Sequence, residues 1–535
     1  MLIQFRERLN LKMKNNRSRG LSIVLLISLI LFLLNGFSEN EKPVPKDPAN
    51  NQSIKTTLQI QRDNLKSELD KIFSAPDFAN SLWGVCVQKM NSDTLYDNNG
   101  NKWLLPASNL KIYTGAAFLD ILGADFRYET RLEAVGKISH DGALAGNIVI
   151  TGSGDPSLGS WHIKGCDGSA LLLKQWAEEL KKKGITAVLG NVIGDGRIFT
   201  DQYYGNAWEI DDLPYWYAAG SSGLAIEENC FRFTLSPGKK IGDKAYIILK
   251  PETAYITVVN DTVTTVPGSR STGDIVWRGT DSNVIRFAGT VALDAKPFEQ
   301  RGSVWDGAKY AAVLFREALI REGIKVSGDG LNIREMENAD IIDKAPGSER
   351  ILIAAHQSQP LPEFLTLINK TSHNFFADHL LRTLGYQVKK KGDFETGVDV
   401  IKEWLKKIGA PDAESLVMSD GSGLSRRNLV QPRQTCAVLR YLYQKESLRK
   451  AYCASLSIGG VDGELKDRMK EPPLKENVRA KAGYIGFTRC LSGYVTDADG
   501  ETLVFSMMVN QSRRSLDRAD ELIDKACTRL AEYTE

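Results

Sequence analysis

Histidine and cysteine are scarce: five His and seven Cys in 535 residues. His140, His162, His356, His373 and His379 show no ligand spacing such as H-x-x-x-H, and no C-x-x-C occurs, so no metal site is expected. Cys86, Cys166, Cys230, Cys436, Cys453, Cys490 and Cys527 are too few and too scattered for a disulfide framework. One or two bridges stay open in an oxidising compartment, and the odd count leaves at least one thiol unpaired. A G-x-S-x-G elbow, H-E-x-x-H, a phosphate-binding Walker loop and G-x-G-x-x-G are all missing. Those absences remove the usual local signs of a Ser-His-Asp hydrolase, a zinc peptidase, a nucleotidase or a dinucleotide enzyme, and no cofactor is expected. Charge of one sign is also lacking, with 68 Lys+Arg against 66 Asp+Glu. A near-neutral body gives no electrostatic reason to expect nucleic acid.

The balance is uneven along the chain. Residues 1–38 hold Arg6, Arg8, Lys12, Lys14, Arg17 and Arg19 against Glu7 alone, leaving 62 basic and 65 acidic residues in 39–535. This basic head precedes Leu21–Leu34, fourteen uncharged residues, where a bilayer span needs about 20. With Gly36-Phe37-Ser38 after it, the stretch reads as a signal peptide over 1–38, an uncleaved anchor being the alternative. Everything from Glu39 is expected to be exported, to the periplasm, with membrane contact only through such an uncleaved segment. Pro-rich, polar residues 39–57 read as a linker.

Beyond it, Leu58, Leu65, Leu69, Ile72 and Phe73 recur at helical spacing. Trp83–Lys89, Thr94–Tyr96 and Trp103–Leu105 read as strands, and Leu110–Leu122 as an apolar helix. From about 130 to 345, β-rich pieces alternate with helices near Leu171–Lys183 and Asp306–Glu322, punctuated by Gly and Pro. From Leu361 the chain turns helical. It closes with strands Val478–Lys481, Leu491–Thr496 and Thr502–Val509, an Asp499-Gly500 turn, and a helix to Tyr533. The pattern is an α+β core interrupted by insertions.

Within it, Ser108 stands at the mouth of the apolar helix with Lys111 three residues on, close enough for the amine to reach the hydroxyl. Serine needs a base to become a nucleophile, and lysine serves once burial or nearby cations lower its pKa. Ser236/Lys239 and Ser447/Lys450 repeat the S-x-x-K spacing, but neither opens an apolar helix. On the motif alone a capping serine is the better account of Ser108. Ser372-His373-Asn374 lies between helical segments, where a hydroxyl could relay a proton and an amide hold a substrate carbonyl; helix capping is the alternative for both. Lys481-Ala482-Gly483 ends a strand, and the Gly leaves room for an extended peptide to join the sheet edge.

In this order the three elements resemble the serine penicillin-binding and β-lactamase group, with S-x-x-K, S-x-N and K-[T/S]-G signatures. PASNLKIYTGAAFLDILGADFRYETRLE (106–133), ITGSGDPSLG (150–159), SHNFFADHLLRTLG (372–385), SDGSGLSRRNLV (419–430) and GGVDGELKDRM (459–469) are similar to the D-alanyl-D-alanine carboxypeptidase/endopeptidase family, the low-molecular-mass class C penicillin-binding proteins. The resemblance covers about residues 60–530. It implies a transpeptidase-like domain, an antiparallel sheet flanked by helices, over 58–130 and 346–535. Two domains would be inserted, one over 131–211 and 291–345 and the other over 212–290.

The resemblance makes Ser108 the acylated nucleophile, Lys111 its base and Ser372 the proton relay. Asn374 would contact the substrate amide and Lys481 the carboxylate end, with the N–H groups of Ser108 and Tyr484 as the oxyanion hole. Asp155 and Arg426 match positions beside the peptide side chain; an Asx turn and a surface ion pair are their alternatives. The motif departs from the family at Ala482, where a hydroxyl residue is usual, and Tyr484 follows Gly483. A missing hydrogen bond to a charged group costs about 1.5–3 kcal/mol, which favours cross-links over free D-Ala-D-Ala termini as substrates. The implied activity is a DD-peptidase on peptidoglycan stem peptides, inhibited by β-lactams. A β-lactamase or esterase of the same fold and a non-catalytic peptidoglycan-binding scaffold are the other readings.

Overall fold

The computed structural model describes residues 48–535 except 166, 167, 338, 345–348, 514 and 515. The signal peptide expected over 1–38 and the linker to residue 47 lie outside the described residues. From Pro48 the linker expectation is corrected. Residues 48–73 form helix α1 (Pro48–Phe73), since a first-turn proline is tolerated and no Gly or Pro interrupts the run behind it. The chain divides into two packing units, 1–60 and 61–535. The described part of the first is the N-terminal half of α1.

In the second unit, Leu65, Leu69 and Phe73 bury one stripe of α1. Strands β1 (Leu82–Lys89) and β2 (Thr94–Asn98) follow, then helix α2 (Leu110–Leu122). Helix α2 is buried on every side from Leu110 to Leu119, as expected for a segment apolar all round. Trp103–Leu105 makes only an isolated bridge, Leu104 to Val430, rather than the expected strand.

The inserted region begins with β3 (Glu129–Ile138), β4 (Ala143–Thr151), helix α3 (Ser169–Lys182), β5 (Ala187–Val188) and β6 (Val192–Asp195). Next come β7 (Cys230–Ser236), β8 (Tyr246–Lys250), β9 (Thr257–Thr265), β10 (Asp274–Arg278), β11 (Val284–Ala292) and β12 (Phe298–Ser303). Helix α4 (Gly307–Arg321), β13 (Lys325–Val326), β14 (Gly330–Asn332) and β15 (Arg350–Gln357) complete it. A seven-stranded mixed sheet, β13-β5-β4-β3-β15 with β6 and β14 alongside, packs with α3 and α4 through Trp176, Leu180, Phe315 and Leu319. β12-β7-β8 and β10-β11-β9 are separate three-stranded sheets. The boundary expected at 290/291 falls inside β11, and β15 pairs with β3, carrying the inserted sheet past residue 345. Periodicity marks strands but not the sheet they join.

The chain then returns through helices α5 (Leu361–Lys370), α6 (Asn374–Lys389), α7 (Phe394–Lys407), α8 (Pro432–Gln444) and α9 (Glu446–Ser455). It ends with β16 (Ser457–Ile458), β17 (Arg479–Ile485), β18 (Thr488–Thr496), β19 (Thr502–Asn510) and helix α10 (Leu516–Ala531). The sheet order is β16-β17-β18-β19-β1-β2, antiparallel throughout. Period-two alternation gives it two apolar faces. Val85, Leu491, Phe505 and Met507 belong to the core that includes α1 and α10; Cys86, Cys490, Val504 and Met508 belong to the core of the helical lobe around α2. The α+β class, an antiparallel sheet flanked by helices with β-rich insertions, is the architecture observed. Cys86, Cys230, Cys436, Cys453, Cys490 and Cys527 are free thiols, so no disulfide joins described cysteines.

Arg382 ties α6 to the insertion. Its guanidinium, wholly buried, donates to the carbonyls of Thr200, Gln202 and Ser221 and lies 4.5 Å from the Phe199 ring.

At the centre of the six-stranded sheet Gly493 faces Ala480 across β17 and β18, and a Cβ there would lie 2.1 Å from Arg479 O. Backbone cannot step aside as a flexible side chain can. Gly493→Ala should destabilise the protein by about 1–3 kcal/mol, read from the urea midpoint. An unchanged midpoint would show that β17 shifts without cost.

Candidate active site

Ser108 sits in a one-turn 3₁₀ segment, Ala107–Asn109, that leads into α2. The residue before it, Ala107, has φ +45°, a left-handed conformation costly to a residue with a Cβ. Gly423 packs there so closely that a Cβ on it would lie 1.9 Å from Ala107 O. Gly483 performs the same service from the other side: a Cβ on it would lie 2.9 Å from Pro106 O and 3.1 Å from Asn109 N. Thus Gly483 lets β17 press against the nucleophile's turn, a role distinct from the room for substrate expected from sequence. Asn109 fixes the contact by donating from Nδ2 to Lys481 O, 2.9 Å.

Lys111, on the first turn of α2, is completely buried. Its Nζ lies 2.9 Å from Ser108 Oγ, 2.6 Å from Asn374 Oδ1 and 2.5 Å from Ser422 O. Asn374 Nδ2 donates to Tyr217 O, 2.8 Å, which fixes the amide so that its oxygen faces Lys111. A neutral amine has two N–H groups and one lone pair. With Asn374 and Ser422 accepting the two hydrogens, the lone pair is left for the Ser108 proton. Burial, then the neighbouring Lys481 ammonium, lowers the Lys111 pKa to about 7, so near neutrality a large fraction is the free base.

Ser372 has φ +59° and directs Oγ to Lys481 Nζ, 3.0 Å. Lys481 is buried on β17 and also donates to Ala482 O, 2.7 Å, and to the Glu464 carboxylate. Neither Ser372 nor Asn374 caps α6: His373 holds the N-cap position, without a side-chain cap bond. Exposed Ser447/Lys450 and exposed Lys239 beside Ser236 gather no comparable partners.

The second edge of β17 is covered by β16 only at Arg479 and Ala480. From Lys481 to Ile485 no described strand pairs with it, leaving an edge beside Ser108 that an extended peptide can join. Tyr484 is 60% exposed beside that edge. Ala482, two residues earlier on the same face of β17, is nine-tenths buried opposite Leu491 in the α10 core. Arg426 ion-pairs with Glu209 at 2.5 Å and donates to Gly486 O at 3.1 Å, so it borders the turn after β17 as a surface pair.

Asp155 is 2% exposed, and its Oδ1 accepts from the Ser157 N–H, 2.8 Å, and hydroxyl, 2.6 Å, in an Asx turn. Its buried Oδ2 has no hydrogen-bond partner among the described residues.

Sequence reasoning did not single out Ser422, Glu464 or Asn109, which act through a carbonyl, an ion pair and a strand contact made across the fold. It also did not foresee that the fold gathers His162, Glu228 and His373, whose ligand-type atoms lie within 4.8 Å of one another. Arg301 donates to His162 Nε2, 3.0 Å, so His162 carries its proton on Nδ1 and gives it to Glu228, 2.8 Å; His373 Nε2 donates to the other carboxylate oxygen, 3.0 Å. With a guanidinium already against it, the set is a hydrogen-bonded ionic network and does not fit a cation.

The sequence pattern of the D-Ala-D-Ala carboxypeptidase 3 (S13) family matches residues 65–530. The chain is 31% identical over 486 residues to a D-alanyl-D-alanine carboxypeptidase of an Actinomadura species, covering 88% of this chain and 85% of that one. It is 30% identical over 462 residues to the D-alanyl-D-alanine carboxypeptidase DacB of Haemophilus influenzae, covering 82% and 90%. The crystal structure of penicillin binding protein 4 (dacB) from Haemophilus influenzae superposes with a TM-score of 0.73 at 28% identity, over 85% of this chain and 97% of that one. The same protein complexed with a β-lactam superposes with a TM-score of 0.67 at 27% identity, over 86% and 100%.

A base role for Lys111, with its pKa lowered to about 7, predicts that acylation of Ser108 rises with pH through an inflection near 7. Lys481→Ala removes the charge that lowers the Lys111 pKa, so the inflection moves up; Glu464→Gln removes a charge that raises it, so the inflection moves down. Stopped-flow acylation across pH 5–10 (an experimental range of about five units) reads both shifts. A flat profile would take Lys111 out of the base role.

Proposed function

The chain belongs to the D-Ala-D-Ala carboxypeptidase 3 (S13) family and is a peptidoglycan serine DD-peptidase, and on that premise we propose that it is exported, works through an acyl-enzyme on Ser108 and is inhibited by β-lactams. The observation that carries the reading is the Lys111 amine, 2.9 Å from Ser108 Oγ, with its other acceptors already occupied.

A stem peptide adds along β17 from Lys481 to Ile485, and Lys111 takes the Ser108 proton as Oγ attacks the penultimate D-Ala carbonyl. The resulting oxyanion lies at the N–H groups of Ser108 and Tyr484, where each donor is worth about 2.7–4 kcal/mol to the transition state. The C–N bond breaks as the proton passes from Lys111 through Ser372 Oγ to the departing amine, with Lys481 holding that hydroxyl at 3.0 Å. Water, deprotonated by Lys111, then hydrolyses the ester and restores Ser108. A β-lactam carbonyl enters by the same attack, and its ester persists because the leaving amine stays tethered. The β-lactam complex of the Haemophilus influenzae protein supports that extension. The basic head and apolar Leu21–Leu34 support export. Among the described residues no helix is long and apolar enough to cross a membrane.

Ala482 offers no hydroxyl to the terminal carboxylate of a D-Ala-D-Ala peptide, and on that ground the reading favours cross-links over free termini as substrates.

Fluorescent penicillin should label the protein covalently and Ser108→Ala should abolish the label. Labelling of Ser108→Ala would discard the nucleophile, and label lost within seconds would indicate a β-lactamase. Ala482→Thr should raise kcat/KM on a D-Ala-D-Ala pentapeptide about ten- to a hundredfold relative to a cross-linked dimer. No relative gain would mean the new hydroxyl stays on the Leu491 side and other groups hold the carboxylate.

A further inference from the structure

A cavity of about 680 Å³ opens in the insertion, lined by Tyr203, Tyr204, Trp208 and Trp305. Between the rings stand carboxylates and amides: Asp201, Asp281, Gln202 and Asn206. We propose that this cavity is a saccharide subsite, which takes the N-acetylated amino-sugar strand from which the stem peptide hangs. The inference rests on the peptidoglycan reading above and adds a second point of substrate recognition to it.

Three observations converge on a neutral, hydroxyl-rich ligand. The first is charge. Asp201, Asp281, Asp306 and Glu335 face a single Arg334, whose Nη2 already donates to Phe199 O, so phosphates and other anions are repelled. Glu335 is paired with Lys309, whereas exposed Asp201 and Asp281 have no ion-pair partner among the described residues. Free carboxylates accept well from sugar hydroxyls and amides. The muramoyl carboxyl is consumed in its amide to the stem peptide and brings no charge.

The second is shape. Aromatic faces interleaved with short polar groups suit a pyranose, whose C–H faces lie on rings while its equatorial hydroxyls reach the acceptors between them. Tyr203 and Trp305 meet edge to face at 6.4 Å, and Tyr204 and Trp208 are 6.0 Å apart and tilted, so the rings that line the cavity are set at different angles to one another.

The third is position. Trp208 Nε1 donates to Asp420 Oδ2, 2.9 Å, and Ser425 Oγ donates to Asn206 O, 2.6 Å. Gly205 packs so near that a Cβ on it would lie 2.9 Å from Asp420 Cβ. The cavity wall is thereby fastened to the same 420–425 segment whose Ser422 carbonyl accepts from Lys111 and whose Gly423 lies on Ala107. A sugar held there rests on a wall joined to the segment that supports the catalytic turn.

The test compares kcat/KM for N-acetylglucosaminyl-N-acetylmuramoyl-pentapeptide with that for the free pentapeptide, alongside penicillin acylation. Wild type should favour the disaccharide substrate about tenfold, the scale of one aromatic stacking contact. Trp305→Ala should bring the ratio near one while acylation and free-peptide turnover stay as they were. Asp281→Asn, an exposed change that leaves packing alone, should lower the ratio in the same direction. Equal wild-type turnover of both substrates, or a proportional loss on both in Trp305→Ala, would overturn the subsite. If neither peptide is cleaved, the peptidase reading has failed. Calorimetry with the disaccharide alone then still decides the cavity: binding that Trp305→Ala abolishes sustains it, and no binding to wild type removes it.

Discussion

An amine sealed from water on the first turn of an apolar helix is the constraint around which this protein is arranged. Burying Lys111 penalises its charged form and so creates the base, but it also demands hydrogen-bond partners for every N–H left. No single element can supply them. Ser108 comes from the turn before α2, Asn374 from the start of α6, and Ser422 from the loop before α8. Those three segments are far apart in sequence, so the site forms only when the whole catalytic lobe has closed on itself.

Close backbone approach is how the closure is achieved. Gly483 and Gly423 stand against the Pro106–Asn109 turn at distances where any Cβ would collide. Ala107 and Ser372 take left-handed conformations that ordinarily cost a residue with a side chain about 1–3 kcal/mol. The packing on both sides of the turn holds them there. Strain of this kind is affordable because the lobe is anchored by two large apolar cores, one on each face of the six-stranded sheet.

What could be read in the sequence follows from these physical differences. Helix α2 was legible to the residue, since a segment apolar all round has one place to go, and Asp499-Gly500 marked the last hairpin. The linker reading does not hold from residue 48 because asparagine and lysine say little about a helix whose other end carries the burial. The boundary expected at 290/291 falls two residues short of the end of β11, whose partners β9 and β10 directly precede it, because the last residues of a strand carry no compositional mark. Ser108, Lys111, Ser372, Asn374 and Lys481 could be named because their side chains carry the chemistry in short motifs. Ser422 contributes only a carbonyl and Glu464 only a partner for Lys481, and neither role leaves a mark on residue type. Asp155 serves its Gly-Asp-Pro turn with one carboxylate oxygen.

The insertion is then more than an appendage to the lobe. Glu227, Glu228 and Asn229 are three consecutive left-handed residues, all buried, a costly arrangement for side chains of this size. What it purchases is the placement of the Glu228 carboxylate against His373, the residue between Ser372 and Asn374. Burial lowers the His373 pKa, which keeps the ring neutral so that Nε2 donates its proton to Glu228. The second motif is consequently held from two sides, by Lys111 and Lys481 in the catalytic lobe and by a strained carboxylate in the insertion. With Arg382 fixing the later part of α6 to the same insertion, any tilt of α6 that displaced Ser372 or Asn374 would have to break contacts at both ends of the helix.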